Sequence, residues 1–228
     1  MYLYETHLHT APVSACARAS VRESLEFYKQ KGYAGVFITN HFLDGNVNIS
    51  HKLPWEERLK FYFTDYEAGV ELGKEIGISV FFGIETSYNG ADFLVYGLDP
   101  QWYLDHQEIK DMEKPQQLSY FMEHGALVIH AHPFRERDYL QSILLFPRYV
   151  HGVEIYNAVN RDFENQVALQ YANNYELIHF AGSDNHVAGK IPRLAGVQFE
   201  TPVLSETDFV QKVLNGQANV FQINNPQK

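Results

Sequence analysis

Short apolar runs alternate with longer stretches whose apolar positions recur every three or four residues, from one end of the chain to the other. The short runs predict strands over Leu3–His9, Gly35–Asn40, Ser79–Ile84, Phe93–Leu98, Ala126–Ala131, Val153–Tyr156, Leu177–Ala181, Val197–Glu200 and Asn219–Ile223. The longer stretches predict helices over Ser20–Lys31, Glu56–Ile76, Pro115–His124, Asp138–Leu145, Asp162–Asn173 and Glu206–Leu214. In the first of these, Val21, Leu25 and Tyr28 share a helical face and Gly32 supplies the stop. Leu43–Trp55 and Pro100–Lys114 have no clear period and read as excursions, and the tail Asn224–Lys228 reads as frayed. Repeated strand–helix alternation implies parallel strands with helical crossovers, so the class is α/β. With no linker or repeat, residues 1–228 form a single expected domain.

Six clusters of His, Asp and Glu fall at the C-terminal ends of the predicted strands: Glu5-Thr-His7-Leu-His9, Thr39-Asn40-His41, Gly83-Ile-Glu85, His130-Ala-His132-Pro133, Glu154-Ile-Tyr-Asn157 and Asp184-Asn-His186. A residue and its second neighbour share one side of a strand, so His-x-His and Asp-x-His each aim two ligands together. Imidazole with carboxylate suits zinc, manganese or iron, and such centres commonly activate water for hydrolysis. A barrel gathers groups from many strands at its C-terminal face, whereas an open sheet gathers them only beside its switch point. Clusters from at least five strands therefore favour a barrel.

A net charge of −10 argues against a phosphate-backbone surface, although bound cations would cancel acids that act as ligands. The single cysteine, Cys16, excludes a disulfide framework, and the N-terminus enters a strand with no signal-peptide pattern. No window has the ~20 apolar residues of a membrane span. The expectation is a cytoplasmic protein with neither nucleic-acid nor membrane partner; the oligomeric state is not legible.

In their order along the chain, the clusters resemble those of the PHP family, the polymerase-and-histidinol-phosphatase domains, from Glu5 to His186. The resemblance implies a distorted (β/α)7, TIM-like barrel holding two or three divalent ions and hydrolysing phosphate esters. It implies that His7, His9, Glu85 and Asp184 hold one ion, Glu85 and His132 a second, and His41 and His186 a third. Three features depart from the family pattern. Glu5 stands where Asp is usual, Ser14-Ala15-Cys16 occupies the place of a further His, and Asp92–Gly97 offers no imidazole. The third ion is then weakly held, held by Cys16, or absent.

His130 shares strand parity with His132, as a deeper ligand or as a partner orienting one. Glu154 reads as an acid behind the ligands. Arginine suits phosphate because its planar fork contacts two oxygens. Arg18 and Arg135 are the preferred pair because both follow ligand strands, with Arg161, Arg193 and Lys190 as further candidates. The expected activity is hydrolysis of a small phosphomonoester by a metal-activated hydroxide, with Glu85, Asp184, His186, Arg18 and Arg135 in catalysis. Hydrolysis of carboxylate esters, lactones or amides, or a non-catalytic metal-binding regulatory module, are the alternatives.

Overall fold

The computed structural model describes residues 1–138 and 140–226. Its strands are β1 (Tyr2–Leu8), β2 (Gly35–Ile38), β3 (Ser79–Tyr88), β4 (Ala91–Tyr96), β5 (Leu127–Ala131), β6 (Gly152–Asn157), β7 (Ile178–Gly182), β8 (Arg193–Phe199) and β9 (Asn219–Asn224). Its helices are α1 (Val21–Gln30), α2 (Trp55–Ile76), α3 (Pro100–Asp105), α4 (Lys114–Glu123), α5 (Asp162–Asn174) and α6 (Glu206–Leu214). One sheet runs β7-β6-β5-β4-β3-β2-β1-β8-β9. It curls until the chain just past β7 meets β1: Asn185 bridges Leu8, donates to the His7 carbonyl (3.2 Å) and accepts from the His9 N–H (3.0 Å).

The result is a distorted α/β barrel, but not a pure parallel seven-strand alternation. β4 runs antiparallel between β3 and β5, and β8 and β9 extend the sheet antiparallel from the other edge of β1. The reversal at β4 has a local cause. Asn89 and Gly90 both have positive φ, 50° and 89°, as a two-residue type I′ hairpin turn requires.

Other expectations need correction. Pro100–Lys114 is not irregular throughout: Asp99 caps α3 by accepting from the Trp102 N–H (2.8 Å), and Pro100 occupies the first turn. The helix expected over Asp138–Leu145 does not form among the described residues of that stretch. Leu144 and Phe146 pack against the core while Leu145 stays exposed, so this strap follows a period of two. The expected fraying also fails at its start, because Asn224 ends β9 and Asn225 is buried, donating to the Pro192 and Ile191 carbonyls. Gln227 and Lys228 lie outside the described residues.

Tyr4, Phe37, Phe81, Tyr96 and Phe180 form one cluster with Phe209 of α6, whose ring lies 4.2 Å from that of Phe37. α6 thus closes the barrel at the end away from the ligand clusters. Outside β1, Leu8 packs with Val21 and Leu25 of α1, a helix started by a Ser20–Glu23 capping box. Among the described residues no helix is long and apolar enough to cross a membrane. Phe209→Ala should cost about 3–5 kcal/mol, the usual penalty for emptying a buried aromatic site. Urea unfolding should show a lower midpoint at an unchanged slope.

Candidate metal centre

A bulge in β1 between Glu5 and Leu8 sets the site. It shifts the side-chain alternation, so that Tyr4 faces the aromatic floor, Leu8 faces α1, and His7 and His9 both turn to the mouth. His7 Nε2 lies 3.0 Å from Glu85 Oε1 and 3.1 Å from His9 Nε2. His9 Nε2 is 3.4 Å from both Glu85 Oε2 and Asp184 Oδ1. His132 Nε2 approaches Glu85 Oε1 at 3.2 Å, and His41 Nδ1 approaches Glu85 Oε2 at 2.6 Å. Glu85 is therefore the hub that touches four imidazoles.

Three triads present ligand atoms within 4.8 Å of one another: His7–His9–Asp184, His7–Glu85–His132 and His9–His41–His186. Every metal ligand named from the sequence is in at least one of them. The donor set fits divalent ions on a further ground. Glu85 Oε2 and His41 Nδ1 are buried with no regular hydrogen bond and meet as a close carboxylate–imidazole pair at 2.6 Å, an arrangement that a shared cation suits.

Outer partners fix which ring nitrogen each histidine presents. Ser14 Oγ donates to Asn40 Oδ1 (2.8 Å), so it accepts from His9 Nδ1 (3.1 Å), which leaves Nε2 as the free donor pair of His9. His7 Nδ1 donates to Glu154 Oε1 (2.9 Å), and His186 Nδ1 to the Asp184 carbonyl (3.0 Å). Glu154 also accepts from the His132 N–H and from Asn157 Nδ2, each at 3.0 Å. It is thus an acid behind the ligands, as expected. Ser14 and Asn40 stand within stretches singled out in the sequence, but their role as outer partners of His9 was not legible there. Asp92, 3.8 Å from His132 Nε2, was also missed, because a stretch searched for imidazole holds a carboxylate.

His130 is not brought to the centre. It is fully buried with neither nitrogen hydrogen-bonded, stacks on Phe93 at 4.8 Å, and burial pushes its pKa down to about 3. Strand parity misleads because β5 ends at Ala131 and His132 adopts φ 28°, which swings its ring to the opposite side. Asp184 likewise has φ 54°.

Among the arginines, Arg135 alone of the four candidates lines the ligand cavity, a space of about 1040 Å³. Its guanidinium pairs with Asp184 Oδ2 and donates to Asn157 Oδ1 (3.1 Å) and Asn160 Oδ1 (3.0 Å). Arg18 is not brought there: its side chain is exposed in a separate groove with Glu23 and Lys190, and only its N–H reaches His186, at the carbonyl. Arg161 lies over the Phe163 ring, and Arg193 pairs with Asp162.

Burial works against every charge in the centre, and the charges offset one another. His41, His7 and His9 hold Glu85 well below the usual carboxylate range, and Arg135 and His7 do the same for Asp184. Despite burial, Glu154, Asp184 and Glu85 hold His7 well above the ordinary histidine value, and Glu85 does so for His41. Burial, with His186 and His41 adding repulsion, holds His9 well below it. Metal binding must therefore expel protons from His7 and His41. Affinity should rise with pH through neutrality, and calorimetry in buffers of different ionisation enthalpy should detect the released protons. Glu154→Gln should weaken metal binding about 10–100-fold, the usual effect of an outer partner, as read by chelator competition.

Residues 162–218 match the family described as PHP-associated. No curated protein matches the chain. Among solved structures, the fold is similar to a protein inferred to be a metal-dependent phosphoesterase from Bifidobacterium adolescentis (15% identity, TM-score 0.58, covering 93% of this chain and 95% of that one). It is similar to a two-domain Bacteroides vulgatus protein containing a predicted PHP-like metal-dependent phosphoesterase (15%, 0.66, 96% and 64%). It is also similar to an amidohydrolase from Chromobacterium violaceum (12%, 0.58, 95% and 97%). At these identities the likeness speaks for the fold. The family match is confined to residues 162–218, and the shared barrel is a likeness of fold.

Proposed function

We propose that this chain is a metal-dependent phosphoesterase acting on small phosphomonoesters. The observation that carries the reading is the placement of Arg135: a nearly buried guanidinium lines the same cavity as the ligand triads. A cavity bearing metal ligands and a fixed cation is matched to an anionic substrate, and Arg is the side chain whose fork fits phosphate oxygens.

His7, His9, Glu85 and Asp184 would hold one ion, Glu85 and His132 a second, and His41 and His186 a third where it binds. Zinc, manganese and iron all suit the imidazole–carboxylate donors. When bound, such ions supply Lewis acidity and lower the pKa of water towards neutrality. The chain's own residues do the rest. Glu154, Ser14 and the Asp184 carbonyl keep His7, His9 and His186 in the tautomers that present Nε2. Arg135 orients Asp184 and offers its charge to the phosphoryl oxygens, where stabilisation matters most in phosphoryl transfer. Asn157 and Asn160 hold that guanidinium still.

The test strips the protein with chelator, reloads it with zinc, manganese or iron, and follows phosphate release from nucleotides, sugar phosphates and phosphotyrosine. Hydrolysis should require metal and vanish in His7→Ala and Asp184→Asn. Arg135→Lys should keep bound metal yet lose about 10²–10³-fold in kcat/KM, the scale of one lost transition-state donor. Turnover of carboxylate esters or lactones with none of phosphomonoesters would replace this reading with that of another metallohydrolase. Full activity in His7→Ala would remove the metal centre from the reaction.

A further inference from the structure

His9 stands at the end of a chain of hydrogen bonds that begins outside the centre, at Asp65 of α2. Asp65 is 4% exposed, and its Oδ2 accepts from Thr10 Oγ1 (2.7 Å), Asn40 Nδ2 (3.2 Å) and the Val13 N–H (3.3 Å). A charged carboxylate is buried at a cost that only donors or cations offset, and these three donors are neutral. Tyr62, one turn earlier on α2, donates to the Asn40 carbonyl (2.6 Å). The helix thus grips Asn40 at both backbone and side chain.

Each link in the chain has one direction. A carboxylate only accepts, so Asn40 turns its amide nitrogen to Asp65, and the same nitrogen donates to Thr10 Oγ1 (3.0 Å). Asn40 Oδ1 then faces the other way, where it accepts from the Thr10 N–H (2.7 Å) and from Ser14 Oγ (2.8 Å). A hydroxyl has one hydrogen and two lone pairs. Ser14 spends its hydrogen on Asn40 and one lone pair on the His41 N–H (3.0 Å). The second lone pair faces His9 Nδ1 at 3.1 Å, so Nδ1 supplies the hydrogen there. Nε2 is left bare for the centre.

Resting on the metal-dependent reading above, we propose that Asp65 is a positioning residue that sets the tautomer of His9 through Asn40 and Ser14. The same relay fixes the backbone of His41, so one carboxylate on α2 governs two ligands without touching either. Thr10, Asn40 and Asp65 lie far apart in sequence, and every hydrogen and lone pair that Asn40 and Ser14 offer is used. A purely structural tie between α2 and the barrel would need the bonds to Thr10 and Val13 but would leave the hydrogen of His9 indifferent to residue 65.

The test is nitrogen NMR of the histidine-labelled chain, metal-free and zinc-loaded, with His9 assigned by comparison with His9→Ala. Ring nitrogens with and without hydrogen separate clearly in shift. The wild type should carry the His9 hydrogen on Nδ1. Asp65→Leu, which offers no acceptor, should move part of the population to Nε2–H in the metal-free chain. Chelator competition should show it losing about 10-fold in zinc affinity, the low end of what outer partners cost. Asp65→Asn keeps an acceptor oxygen and should retain both properties. Ser14→Ala removes the last link and should act on His9 as Asp65→Leu does, even where the latter fails to fold. Leu59→Ala, a change in the buried face of the same helix, should lower the unfolding midpoint and leave the His9 hydrogen and zinc affinity alone. A wild type with the His9 hydrogen on Nε2 would overturn the proposal. So would folded Asp65→Leu or Ser14→Ala chains with Nδ1–H and zinc affinity unchanged. The expected signature in a chain that hydrolyses no phosphate ester would support the relay and count against the phosphoesterase reading.

Discussion

The structure depends on one electrostatic problem, the burial of Glu85 and Asp184 in the mouth of the barrel. An isolated carboxylate there would cost several kcal/mol in desolvation. Here each is surrounded by imidazoles, and Asp184 also meets Arg135. The attraction is mutual, so the histidines around Glu85 and the carboxylates around His7 shift one another in opposite directions. Divalent ions fit such a set because they satisfy both kinds of donor at once.

Precision in the centre comes from backbone as much as from side chains. The β1 bulge, the φ of 28° at His132 and the φ of 54° at Asp184 each turn a ligand to a side that regular strand geometry would deny it. Positive φ at residues other than glycine is a strain kept only where the surroundings over-determine it, and such strain gathers at functional sites. Gly182 adds a steric condition. A Cβ there would lie 2.5 Å from His7 Cβ and 2.6 Å from Glu154 Oε1, so the packing of β7 on β1 at this point leaves room for hydrogen alone.

Much of this was legible in the sequence, for identifiable reasons. Strands announce themselves by short apolar runs, and the ligand clusters stand at their ends because a barrel collects its chemistry there. Direction along the sheet was not legible from alternation, although Asn89-Gly90 is a hairpin signal that could have exposed the reversed β4. The strap after Asp138 has helix-like composition, but tertiary contacts of Leu144 and Phe146 set its period. Parity assigned His130 and His132 to one face because a single left-handed residue is invisible to a period of two. Arg18 followed a ligand strand in sequence yet points away, since a loop places its backbone rather than its side chain against His186.

The barrel closes where Asn185, past β7, pairs with His7 of β1 and with His9 just beyond it. The donors of the centre are thus drawn from both margins of the seam, from residues near the start of the chain and from Asp184 and His186 far along it. Contacts of such long separation form late, because loop closure must precede them. On the ribosome, an emerging chain carries the opening histidines for most of its synthesis without the partners that complete the ligand set. The complete ligand set therefore exists only once the barrel has closed.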